Sequence, residues 1–153
     1  VSTAGYRNRG VQALVELHAQ HLSAFVETWR EASAAGVTLP PSDDPNCADL
    51  AALLHHVLRA ARGYMTWICE CLDLPDPGID PVPEGIAGDP GPYLEHLLER
   101  WDGPLLELEG ATAERAVYPS RWGVLYCIDA MLEHAVMHPI RHRSQLQRAA
   151  TAS

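Results

Sequence analysis

The chain has 153 residues, 47% of them apolar and 20% charged, an ordinary composition for a soluble globular domain. Its net charge is −9, and its 11 basic residues, all arginine, are scattered among acids, which argues against a nucleic-acid surface because that requires a concentrated basic face. No apolar stretch approaches the roughly 20 residues of a membrane span, and no basic region followed by an apolar segment opens the sequence, so one cytoplasmic domain over residues 1–153 is expected.

Helical periodicity appears four times, and no segment alternates convincingly as a strand. The first helix is predicted over Arg9–Ala34, with Val11, Leu14, His18, Leu22, Phe25 and Trp29 recurring at three- and four-residue steps. Gly36 ends it, and the proline-rich stretch from Pro40 to Pro45 forces a loop. The second helix begins with Asn46 as cap and Asp49 in the first turn, and runs through Leu53, Leu54, Val57, Tyr64 and Ile68 to about Asp73. From Pro75 to Pro92 repeated prolines and glycines exclude a regular helix and make a long crossover, and connections of that length tend to be mobile or to serve a site. Tyr93 to about Leu108 forms the third helix, kinked or interrupted at Gly103-Pro104, with Leu94, Leu97, Leu98, Trp101 and Leu105 as its stripe. A loop around Val117–Ser120 leads to the fourth helix, about Gly123 to Arg148. The pattern predicts an all-α four-helix bundle.

Four cysteines, Cys47, Cys69, Cys71 and Cys127, are expected as free thiols, and the Cys69-x-Cys71 spacing is too close for a zinc knuckle. The histidines carry more chemistry. His138 and His142 lie four residues apart, one turn above each other on a helix face, where two imidazoles can reach one metal ion. A second pair, His55-His56, lies on another apolar helix, and facing helices build metal sites in bundle cores.

The helical wheel sorts these residues. His56 follows Leu53 by three and precedes Ala60 and Tyr64 by four and eight, so it borders the apolar stripe, whereas His55 shares a row with Arg59 and Arg62. With His138 at zero, Ile128, Leu132, Ala135 and Leu146 centre the apolar face at roughly 60–120°, His142 sits near ~40°, and His134 lies about 40° to the outer side. His142 and His138 therefore point inward. A single inward histidine is more often a hydrogen-bonded core residue. Three converging, neutral and otherwise unpartnered imidazoles would be costly, and a metal ion satisfies all three lone pairs. His134, and His18 on the core stripe of the first helix with His21 near its edge, are candidates for a further ligand or a substrate contact, against the ordinary role of satisfied core or boundary histidines. His96 flanks the third helix's stripe and is expected at the surface.

This arrangement resembles the DinB-like (YfiT-like) superfamily of four-helix metalloproteins. The resemblance covers nearly the whole chain and rests on helix order, the long second connection and two motifs. Leu53-Leu54-His55-His56-Val57 through Tyr64 looks like the family's Leu-Leu-x-His followed by an aromatic residue, which places the first metal ligand at His56. His138-Pro-Ile-Arg-His142-Arg143-Ser144-Gln145 is similar to the family's His-x-x-x-His-Arg-Gly-Gln, which places the others at His138 and His142. The motif also implies that Arg143 braces the site and that Gln145 hydrogen-bonds behind the ligands. Ser144 replaces the usual glycine. Pro139 interrupts the His-x-x-x-His turn, removing a backbone donor and clashing with the Ala135 carbonyl, so a kink or widened turn is expected there.

The resemblance implies a divalent ion, zinc or nickel, at three histidines with open positions for water or substrate. It further implies S-transfer or isomerisation with a low-molecular-weight thiol. The arginine-only, alanine-rich composition suits a GC-rich genome, for which the resemblance implies a mycothiol-like thiol. A homodimer acting on a small-molecule substrate, with no nucleic-acid or membrane partner, goes with that expectation. Two alternatives stand beside it: a non-thiol cyclase, hydrolase or lyase of a biosynthetic pathway, and a non-catalytic stress or binding protein with a vestigial site. Catalytic residues are not identifiable from the motifs.

Overall fold

A computed structural model describes residues 5–152; residues 1–4 and 153, which the single-domain expectation includes, lie outside the described residues. The described chain is mostly helical, with α1 (Arg9–Ala34), α2 (Leu50–Cys71), α3 (Gly91–Trp101), the short α4 (Gly110–Arg115) and α5 (Ile128–Ala152). A small antiparallel hairpin, β1 (Val117–Pro119) and β2 (Leu125–Cys127), precedes α5. No helix among the described residues is long and apolar enough to cross a membrane.

The helix ends follow local chemistry. Asn8 caps α1, its side chain accepting from the Gly10 and Val11 amides. Gly36 leaves α1 at φ 67°, which lets the Val37 amide reach back to the Ala32 carbonyl at 3.0 Å. The cap of α2 differs from expectation. Asp49, not Asn46, is extended and accepts from the Ala52 amide at 2.8 Å, while Asn46 belongs to a separate 3-10 turn, Pro45–Cys47, capped by Asp44. Asp73 adopts φ 53° beyond α2, where the Leu74 amide bonds the Cys69 carbonyl.

The third and fourth predicted helices are both shorter than their apolar patterns. Gly103-Pro104 interrupts the predicted third helix, as one of the two expected outcomes, so α3 stops at Trp101, although Leu105 and Leu108 continue into the core through the turns that follow. The expected start of the last helix at Gly123 falls inside the hairpin, and α5 begins at Ile128. Gly123 has φ 86° and turns the chain, its amide bonded to the Ser120 carbonyl, so Leu125–Cys127 pair as a strand instead of extending the helix. The absence of a strand signal is therefore corrected over Val117–Pro119 and Leu125–Cys127.

The apolar faces of the helices share one core, in which α1 and α2 both pack against α5. Trp101 from α3 is fully buried, and its indole N–H donates to the Ala61 carbonyl of α2 at 3.1 Å. Burial of a side chain this large contributes on the order of 3 kcal/mol. The segment between α2 and α3 is pinned by side chains: Arg62 donates to the Ile79 carbonyl, and Tyr93 to that of Asp80. His96 is part-buried rather than a bare surface residue, because its Nε2 accepts from the Asp80 amide at 3.0 Å. All four cysteines are free, with Cys69 buried at the end of α2.

Candidate metal centre

His56 of α2 and His138 and His142 of α5 come together where these two helices pack. One ligand nitrogen from each lies within 4.8 Å of the others, the one such group of three among the described residues. The Nε2 atoms of His56 and His138 approach to 3.1 Å. Ring centroids are 4.7 Å apart for His138 and His142, 4.9 Å for His56 and His138, and 5.2 Å for His56 and His142. Pro139 does not spoil this geometry, since α5 is α-helical without a break through the proline. The expected widened turn is absent, and Pro139 itself is buried in the helix packing.

The donor set fits a divalent ion. Burial, followed by the nearby His142 and His56, pushes His138 down to about 2, and burial, then His142 and Arg59, lowers His56. Both are therefore neutral at pH 7 and carry a free lone pair. Gln145 Oε1 lies 2.9 Å from His142 Nδ1; as acceptor it fixes the Nδ1–H tautomer and leaves Nε2 as the ligand atom. Two nitrogens ~2.0–2.1 Å from a tetrahedral zinc ion lie ~3.3–3.4 Å apart, close to the 3.1 Å between His56 and His138. The Nδ1 atoms of these two rings are buried without a hydrogen-bond partner. The cluster can hold a metal ion.

Residues around the cluster divide clearly. Arg143 Nε donates to Thr28 Oγ1 at 3.0 Å, tying α5 to α1 at the level of the site. His134 stands apart from the three ligands and packs edge-on against Tyr64 and Tyr126 and beside Trp122, at centroid distances of 5.5, 5.7 and 5.3 Å. Burial and the Arg141 charge lower its pKa. His18 also stays outside the cluster. It is stacked on Trp101 at 3.7 Å and 14°, with both ring nitrogens unpartnered, and burial pushes it down to about 3. His55 is half-buried and His21 partly exposed, and neither joins the group.

A cavity of about 570 Å³ opens beside the cluster, with His56 and His138 in its wall. Tyr64 and Trp67 of α2, Met131 and His134 of α5, and Trp122 from the hairpin turn make most of its apolar lining. The hairpin is held over it by the Trp67 indole, which donates to the Pro119 carbonyl at 3.0 Å, and by an Arg121–Glu70 ion pair at 3.6 Å. Sequence patterning had no reason to select Arg121 and Trp122. The one available signal was the β-branched and aromatic run on either side of Gly123, a hairpin signature that helical periodicity of the next segment concealed.

No family model matches the chain, and no curated protein or solved structure matches it significantly.

Proposed function

We propose that the protein is a divalent-metal-dependent enzyme of DinB-like four-helix type, with zinc or nickel at His56, His138 and His142, that catalyses S-transfer or isomerisation with a low-molecular-weight, mycothiol-like thiol. The observation that carries this is the three-histidine cluster set in the wall of an aromatic cavity. When bound, such an ion polarises a carbonyl or turns a thiol into a thiolate.

The lining of the cavity supports the thiol. It contains no Asp, Glu, Cys or Ser, so the chain supplies no thiol, serine hydroxyl or carboxylate there, which favours an attacking group brought in by a co-substrate. His134, which lines the cavity and is neutral at pH 7 because burial and Arg141 disfavour its charge, can accept a proton there. Tyr64, its hydroxyl pushed up to about 12 by burial, remains protonated and can donate a hydrogen bond. Gln145 keeps the His142 tautomer, Arg143 holds α5 on α1, and Tyr64, Trp67 and Trp122 line the cavity with aromatic rings. A homodimer accompanies this reading by resemblance.

Elemental analysis of tag-free protein is expected to find about one ion per chain, lost in His142→Ala, and conjugation assays with several thiols should show turnover that depends on that ion. Wild-type protein that folds normally and never retains a stoichiometric ion would sink the proposal. Metal-dependent turnover without thiol dependence would transfer it to a cyclase, hydrolase or lyase.

A further inference from the structure

The chain carries 20 acidic residues against 11 arginines, yet the cavity beside the histidines is lined by three arginines and no carboxylate. Arg59 comes from α2, Arg121 from the hairpin turn and Arg141 from α5, so three separate elements contribute arginines to the lining of one volume.

The charges are also largely unspent. Arg141 makes no ion pair among the described residues. Arg59 donates to the neutral amide oxygen of Asn46, at 3.3 Å, and makes no ion pair among the described residues. Arg121 meets Glu70 at 3.6 Å, but both side chains are more than half exposed and the pair is screened by water and salt. Arginine presents a planar fork of donors that matches carboxylate and phosphate oxygens. Between the charges lie Tyr64, Trp67 and Trp122, whose ring faces suit a flat apolar body.

We infer that this cavity selects small organic anions, with a carboxylate or phosphoryl group held by Arg59, Arg121 and Arg141 and an unsaturated or aromatic body held against Tyr64, Trp67 and Trp122. This names a substrate class for the proposed enzyme and rests on the same cavity being its substrate chamber. The guanidinium groups orient the anion, and the adjoining His56–His138 wall then faces the body of the ligand. A neutral electrophile gains nothing from the arginines and is discriminated against.

Benzoate, phenyl phosphate and neutral benzyl alcohol distinguish the possibilities when titrated calorimetrically, with tryptophan fluorescence as a second readout, into zinc-reconstituted and EDTA-treated tag-free protein. The expected result is that one or both anions bind at least ~10-fold more tightly than benzyl alcohol, in both forms and less so as salt is raised. Preference for benzoate alone or phenyl phosphate alone assigns the anion as carboxylate or phosphoryl. In Arg59→Gln/Arg141→Gln, two exposed positions, the preference should fall below about threefold while zinc content and the circular dichroism spectrum stay unchanged; Arg121→Gln alone should weaken it less. Equal binding of benzyl alcohol would overturn the inference, as would a preference that survives the double substitution. So would one that vanishes on zinc removal but ignores the arginines. Anion preference in protein that never binds zinc would sustain the inference while removing the metal enzyme.

Discussion

Two places in this molecule bury histidine, and they differ in what the rings face. His56, His138 and His142 meet nitrogen to nitrogen, while His18 lies flat on the Trp101 indole with both nitrogens idle. Burial pushes down both His138 and His18, to about 2 and about 3, so desolvation alone does not separate them. Convergence does. Lone pairs aimed at one point make a ligand set, whereas a ring stacked face to face makes packing.

The largest expected effect falls on the stacked region. Trp101→Ala removes a fully buried indole and its bond to Ala61, and should cost roughly 3–5 kcal/mol in urea unfolding while metal content per chain stays at the wild-type level. If metal is lost as well, the two regions are one cooperative site rather than two. The second effect belongs to the cluster. Metal present at a hundredfold excess over its Kd stabilises by about 2.7 kcal/mol, so chelation should lower Tm by ~5–10 °C in a chain of this size. His138→Ala should be indifferent to chelator in the same melt. A chelator-sensitive His138→Ala would place the ion elsewhere.

Gln145→Ala leaves all three ligands but releases the His142 tautomer, and should weaken metal affinity by 10–100-fold in competition with a chromogenic chelator, on the order usual for partners behind metal ligands. Unchanged affinity would reduce Gln145 to a surface residue.

The smallest effect at neutral pH is that of His18→Leu, which removes two unsatisfied nitrogens and should stabilise by about 1 kcal/mol. Acid enlarges it. His18 is held neutral down to about pH 3 in the fold but takes up a proton near its ordinary value of 6.5 when unfolded, so between those values the unfolded chain binds more protons. Wild-type stability should therefore drop as pH falls through that window, and the gap to His18→Leu should widen. Parallel pH profiles would show that His18 has a partner after all.

Much of the fold is legible in the pattern. The first helix spans Arg9–Ala34 as periodicity and Gly36 predict, and the second ends where expected. The long α5, with Pro139 inside it, was equally visible downstream of Ile128. His56 was separable from His55 because a 3.6-residue period assigns each residue to a face, and a face is a local property. Periodicity misled at the boundaries. Leu105 and Leu108 continue an apolar series beyond α3, and a turn with core-facing side chains satisfies that series as well as a helix does. Leu125, Tyr126 and Cys127 likewise extend the helical segment on paper but pair with Val117–Pro119.

Local sequence dictates which side chains a helix turns inward, because the 100° step and the caps depend on neighbours a few residues away. It thereby set His138 and His142 on one face, and His56 and His18 on two others. What the inward rings meet depends on how the helices pack, through contacts separated by 80 residues or more. Packing put His56 opposite His138, and Trp101 opposite His18, which sent two equally inward histidines to different ends. It also brought the hairpin, with Arg121 and Trp122, over a cavity that no single segment encloses.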